Sequence, residues 1–96
     1  MGTCALVGAA EFNAQHFRSL YDADRFDYVV AVDGGYEHLK ALGVYPDMAI
    51  GDFDSLGYTP SARQISELPE KKDRSDMEAA MERAIRKHNE LYVYGA

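Results

Sequence analysis

A chain of 96 residues holds one small domain around one hydrophobic core. Hydrophobic residues make up 47% of it, which argues against disorder. Its 10 basic and 16 acidic residues give a net charge of −6 and leave no basic surface of the kind a non-specific nucleic-acid binder needs.

The basic pairs Lys71-Lys72 and Arg86-Lys87 are too short to change that reading. Cys4 is the single cysteine, so no internal disulfide forms, and its place in an apolar first segment makes it a core residue. No charged leader precedes a long apolar run, and no stretch approaches the ~20 apolar residues that span a bilayer. A cytoplasmic protein without a membrane partner is the expectation.

Thr3 to Val7 reads as a first strand ending at Gly8. Glu11 to Tyr21 carries Phe12, Phe17 and Leu20 near helical spacing, and Asp22-Ala23-Asp24 breaks it. Tyr28 to Val32 is the strongest strand signal, its nearly continuous apolar character suiting a strand covered on both faces. It runs into Asp33-Gly34-Gly35. Glu37 to Leu42 predicts a short helix stopped by Gly43. Pro46-Asp47 makes a turn, and Met48 to Ile50 is a third strand that empties into Gly51-Asp52-Phe53-Asp54-Ser55.

Gly57 to Ser61 is loop, and Ile65 to Leu68 is a further strand closed by Pro69. Ser75 to His88 predicts the longest helix, with an apolar stripe at Met77, Ala80, Met81, Ala84 and Ile85 and a capping box between Ser75 and Glu78. Leu91 to Tyr94 begins a last strand that meets Gly95-Ala96. Alternating strands and helices imply right-handed crossovers: a three-layer, Rossmann-like α/β fold with a mostly parallel sheet. Because strand ends in such folds feed ligand-binding loops, a chain stopping just after one is expected to be a truncated protein or an isolated domain.

Two of these strands end in acidic, glycine-rich turns. Open α/β sheets place ligands beyond the carboxyl ends of their strands, so parallel strands would bring Asp33, Asp52 and Asp54 to one edge. In an extended segment, Asp52 and Asp54 share a face. Mg²⁺ suits such a pair, since it takes hard oxygen ligands from one or two carboxylates together with substrate phosphates. Solvated loop aspartates are the plain alternative. Gly34-Gly35 permits a tight turn whose backbone N–H groups can cradle phosphate, or is simply a turn. Neither the dinucleotide fingerprint nor the lysine-ended phosphate loop is present.

A third acidic set is Lys72-Asp73-Arg74-Ser75-Asp76. Asp76 in a first helical turn is stabilised by the helix dipole, or contacts a metal. Lys72 and Arg74 reach phosphate or stay on the surface, and Glu78 is a cap rather than a catalyst. His16, His38 and His88 compose no zinc pattern and read as surface or packing residues.

Taken together, Asp33-Gly34-Gly35, Leu39, Gly43, Pro46-Asp47, Gly51-Asp52-Phe53-Asp54-Ser55 and Lys72-Asp73-x-Ser75-Asp76-x-Glu78-x-Ala80 resemble thiamine pyrophosphokinases. The resemblance covers essentially the whole chain but only the family's N-terminal domain, here 1–96, without its C-terminal β-sandwich. It implies transfer of the pyrophosphoryl unit of ATP to the hydroxyl of thiamine, giving thiamine diphosphate and AMP, in a homodimer whose active site lies between domains. Asp52, Asp54 and Asp76 match positions associated with magnesium. Asp33 matches an acidic active-site position, and Lys72 and Asp73 the basic-acidic approach to the last helix. Gly34, Gly35, Ser55 and Lys72 are assigned to the nucleotide; Asp33, Asp54, Asp73 and Asp76 to catalysis, with the proton acceptor open among Asp33, Asp73 and Asp76.

Two positions depart from the pattern. Ser75 stands where threonine is usual and keeps a capping hydroxyl, and Val32 stands where alanine is common. Without the second domain, the isolated chain is expected to be incomplete as an enzyme. Alternatives are a pyrophosphokinase for another heterocyclic alcohol such as a hydroxymethylpterin, a non-catalytic nucleotide-binding domain, and a metal-dependent hydrolase.

Overall fold

The computed structural model describes residues 2–53, 56–69 and 75–96. In chain order the elements are β1 (Thr3–Val7), α1 (Ala14–Asp22), β2 (Tyr28–Val32), α2 (Gly35–Leu42), β3 (Met48–Gly51), β4 (Gln64–Glu67), α3 (Asp76–Ile85) and β5 (Glu90–Tyr94). Among the described residues, one sheet of order β4-β3-β2-β1-β5 contains all five strands, and every adjacent pair is parallel. No described helix is long and apolar enough to cross a membrane.

The two-residue period of the strands divides the core. Ala5, Val7, Val29, Ala31 and Ala49 face one side, where Phe17 of α1 and Leu39 of α2 pack. Cys4, Leu6, Val30, Val32 and Ile50 face the other, under Ala80 and Ala84 of α3. These opposed apolar faces make the Rossmann-like three-layer α/β architecture expected from the sequence. Phe17 is 0% exposed and ring-packed against Phe12, Tyr21, Phe26 and Tyr94, so the α1 face is the aromatic one.

Element ends differ from the periodicity for local reasons. α1 starts at Ala14 rather than Glu11 because Asn13 caps it, its side-chain oxygen accepting the His16 N–H at 3.1 Å. α2 starts two residues before Glu37 because Gly35 lies directly on β1. A Cβ there would collide with the carbonyl of Val7. Gly43 closes α2 in the left-handed region at φ 74°. α3 ends at Ile85 rather than His88, because the chain must return to the amino edge, where the Asn89 N–H donates to the Gly2 carbonyl at 2.9 Å. Between β3 and β4 the described residues contain no helix, so that step departs from strict alternation.

Two aspartates pin the amino edge of the sheet. Asp27 accepts the Thr3 N–H at the start of β1, and Asp47 accepts the Val29 N–H near the start of β2, each at 2.8 Å. Asp47 also meets Arg63 at 3.4 Å. The Pro46-Asp47 turn therefore has a structural function that its sequence does not announce.

Candidate active site

At the opposite, carboxyl edge, β2 and β3 deliver their acidic turns side by side. The Asp33 N–H donates to the Ile50 carbonyl at 2.8 Å, which locks the end of β2 to the end of β3. Asp33 then turns with φ 48°, a left-handed conformation that a non-glycine residue adopts at a cost of about 1–3 kcal/mol. Its carbonyl accepts the Tyr36 N–H at 3.2 Å, so this turn also opens α2.

Asp52 follows Gly51 at the end of β3, and the next residue, Phe53, again has a positive φ of 63°. Phe53 is 5% exposed and belongs to the α1–α2 core, so burial of its ring holds the strained turn that presents Asp52. Farther along this loop, the Tyr58 hydroxyl donates to the Glu37 carboxylate of α2. That hydrogen bond, with smaller contributions from burial and nearby charge, pushes the phenol up to about 12. The chain is thus fastened at Phe53 and again at Tyr58.

Asp76 arrives from the other face of the sheet, as the first residue of α3. Ser75 caps that helix. Its hydroxyl accepts the Glu78 N–H at 3.1 Å, and the Glu78 carboxylate accepts the Ser75 N–H at 2.9 Å. Glu78 is therefore a cap.

The result is a convergence of three half-buried carboxylates. Asp33, Asp52 and Asp76 each offer one oxygen, and these oxygens lie within 4.8 Å of one another. An octahedral magnesium ion at ~2.1 Å from each ligand separates neighbouring oxygens by about 3 Å and opposite ones by about 4.2 Å. The donor set is hard, anionic and of the right span, so these residues can hold a divalent metal.

Gly51 makes the room. At φ 146°, a Cβ on it would lie 3.0 Å from the Asp76 Oδ2 and 3.1 Å from the Asp33 Cβ, inside the carboxylate cluster. Gly51 does not announce this role in the sequence. Its only signal was a glycine directly before the acidic pair.

The other expected site residues divide into two groups. Gly34 and Gly35 form the N-terminus of α2, with Gly35 pressed on Val7 beside the same edge. Asp54, Ser55, Lys72, Asp73 and Arg74 lie outside the described residues. The shared-face argument for Asp52 and Asp54 assumes an extended chain, whereas φ 63° at the intervening Phe53 is not extended. Among the described residues, the companions that the fold brings to Asp52 are Asp33 and Asp76.

Neighbouring groups have packing roles. Gly8 and Gly95 meet where the ends of β1 and β5 touch, the Gly8 N–H donating to Tyr94 O at 2.7 Å and the Ala10 N–H to Gly95 O at 3.0 Å. A Cβ on Gly8 would strike the Gly95 carbonyl and stand 2.8 Å from the Met77 Cε. His38 bonds the Ala10 carbonyl at 2.9 Å, His16 bonds the Tyr94 hydroxyl at 2.9 Å, and His88 stacks on Tyr28. Burial pushes the Cys4 thiol up to about 12, the pKa of an inert core cysteine rather than a nucleophile.

An all-parallel sheet between two helical layers, with carboxylates gathered beyond its strand ends, defines a Rossmann-like α/β protein whose edge can hold a divalent metal. Residues 20–96 match the family model for the thiamin pyrophosphokinase catalytic domain, and the chain belongs to that family. Among solved structures it is similar to the thiamin pyrophosphokinase of Geobacillus thermodenitrificans, at 26% identity with a TM-score of 0.74. It also shares the fold of a thiamin pyrophosphokinase family protein of Enterococcus faecalis, at 21% identity with a TM-score of 0.74. The chain is covered to 98% and 97% in these comparisons and spans 46% of the length of each of those proteins. No curated relative matches it.

Proposed function

We propose that this chain is the ATP- and metal-binding part of a thiamine pyrophosphokinase, which transfers the pyrophosphoryl group of ATP to the hydroxyl of thiamine. The observation that carries this reading is the convergence of Asp33, Asp52 and Asp76 at the carboxyl edge, within a chain that matches the family's catalytic domain from residue 20 onward. The Geobacillus protein that it resembles is named for activity on thiamin.

Asp33, Asp52 and Asp76 would hold Mg²⁺, with Asp54 as a further candidate. The ion's contribution there is to offset charge on the phosphates and on the transferred group. The N-terminus of α2, opened by Gly34 and Gly35, faces the same edge and favours phosphate oxygens through its dipole. Ser55 and Lys72 are proposed to bind the nucleotide. The thiamine hydroxyl oxygen attacks the β-phosphorus, the bond from that phosphorus to the α–β bridging oxygen breaks, and AMP leaves. The hydroxyl proton passes to a carboxylate, for which Asp33, Asp73 and Asp76 are the candidates.

Acceptor recognition is proposed to rest on a C-terminal β-sandwich domain of a longer protein that works as a homodimer, as the family resemblance implies. The test is formation of AMP and thiamine diphosphate by the longer protein, followed chromatographically with thiamine or hydroxymethylpterin as acceptor. Thiamine-dependent AMP release is the expected result. Release only with the pterin would reassign the acceptor, phosphate release without any acceptor would make the protein a hydrolase, and no turnover with intact ATP binding would make the domain non-catalytic.

A further inference from the structure

A cavity of about 400 Å³ lies at the amino-terminal ends of β2, β3 and β4, on the face covered by α3. Along β2 the four residue steps from Val32 back to Tyr28 span about 13 Å, so the Tyr28 wall of the cavity stands at the end of the strand away from the acidic cluster, while Ile50 on its floor lies two residues before Asp52. Its floor is apolar and formed by Val30, Met48, Ile50 and Ala84. One wall is a stacked pair, Tyr28 on His88, with ring centroids 5.4 Å apart. Its rim is cationic, formed by Arg83, Arg86 and Lys87.

The wall is braced. The Tyr28 hydroxyl donates to Gln64 Oε1 at 2.8 Å, and Arg83 donates to the Ser66 hydroxyl, joining α3 to β4 beside the opening. Cations near the C-terminal end of a helix also offset its dipole, but a dipole does not account for the cavity beneath them. Three of the chain's 10 basic residues line this one opening, in a protein of net charge −6. The size falls within the range of small-molecule sites, and an apolar floor with a few charged groups at one end is their usual composition.

We propose that this cavity is a second ligand site that takes a planar aromatic ring bearing one phosphate. The ring lies over Val30, Ile50 and Ala84 against the Tyr28–His88 stack. The phosphate sits at the rim, where two guanidinium groups and an ammonium supply charge-assisted hydrogen bonds. The site is separate from the one assigned to ATP and metal.

The test titrates the isotopically labelled chain, free of metal, with 1-naphthyl phosphate and follows the backbone amide spectrum. Saturable shifts at Tyr28, Met48, Ala84 and His88 are expected, with inorganic phosphate and 1-naphthol each binding at least tenfold more weakly. The double variant Arg86→Gln/Lys87→Gln, both positions exposed and beyond the helix, should retain a dispersed spectrum and lose at least tenfold in affinity. Tyr28→Leu supplies a second variant from the other wall, with the same loss expected. Asp52→Asn should bind as the parent chain does. Shifts confined to the Gly34, Asp52 and Asp76 edge, equal binding of 1-naphthol, or no saturable shift in the folded chain would overturn the proposal.

Discussion

The two ends of the sheet use the same side chain for opposite purposes. At the amino edge, Asp27 and Asp47 each accept a backbone N–H, from Thr3 and Val29, and tie the entering chain to the strand starts. At the carboxyl edge, Asp33, Asp52 and Asp76 converge on one another. The difference follows from strand polarity. Parallel strands present free N–H donors where they start and free carbonyls where they finish. A carboxylate at the first end finds a donor in the backbone. At the second it meets more oxygen, and a cation is the natural complement.

The largest effect is expected where that cation would sit. Asp52→Asn in the longer protein should lower turnover by at least about 100-fold while leaving thermal unfolding without metal unchanged or slightly improved, because one like charge has been removed. Steady-state AMP release alongside calorimetry checks both parts, and undiminished activity at limiting Mg²⁺ would break the proposed role of this edge. Gly51→Ala sharpens the geometry. It adds a methyl group 3.0 Å from the Asp76 Oδ2 at a φ of 146°, so it should cost about 1–3 kcal/mol of stability and weaken Mg²⁺ at least tenfold by isothermal titration.

The amino edge should respond in stability alone. Asp47→Ala leaves the Val29 N–H without its carboxylate acceptor and should cost about 1–3 kcal/mol in urea unfolding. Mg²⁺ affinity should stay within twofold, and a larger loss would show that the ends are not independent. Asp27→Ala acts on the exposed Thr3 N–H and should cost less, about 0.5–1.5 kcal/mol.

The smallest effect is expected between the ends. Cys4 lies within β1, fully buried, with its thiol raised by burial first and by Asp47 second to about 12, from an ordinary value of 9.0. A raised thiol pKa contributes stability that is present below pH 9 and is lost as pH rises through about 12. The folded chain should therefore resist a thiol reagent at pH 8 and react on unfolding. Rapid labelling of the folded chain would place Cys4 at the surface instead.

Much of the architecture can be read from residue order. The continuous apolar run Tyr28 to Val32 announces a strand buried on both faces, and Ser75 with Glu78 announces a capped helix, since both signals are local. Asp33, Asp52 and Asp76 stand out as acidic residues beside glycines at predicted element ends. Chain order does not say which carboxylates meet. The two-residue spacing pairs Asp52 with Asp54, which lies outside the described residues; among those described, the fold brings Asp52 to Asp33, across the β2–β3 pairing, and to Asp76, from the opposite layer.

Residue order thus carries what nearest-neighbour physics can write: period, caps, turns and the polarity that makes one sheet edge a ligand edge. Tertiary packing decides what depends on several elements meeting. The positive φ at Asp33 and Phe53 is held by a strand-end hydrogen bond and by burial of a ring. The closeness of Gly8 to Gly95 and the space kept at Gly51 exist only once β1 lies beside β5 and α3 crosses the sheet. No local preference encodes those distances, because each is set by residues far apart in the chain.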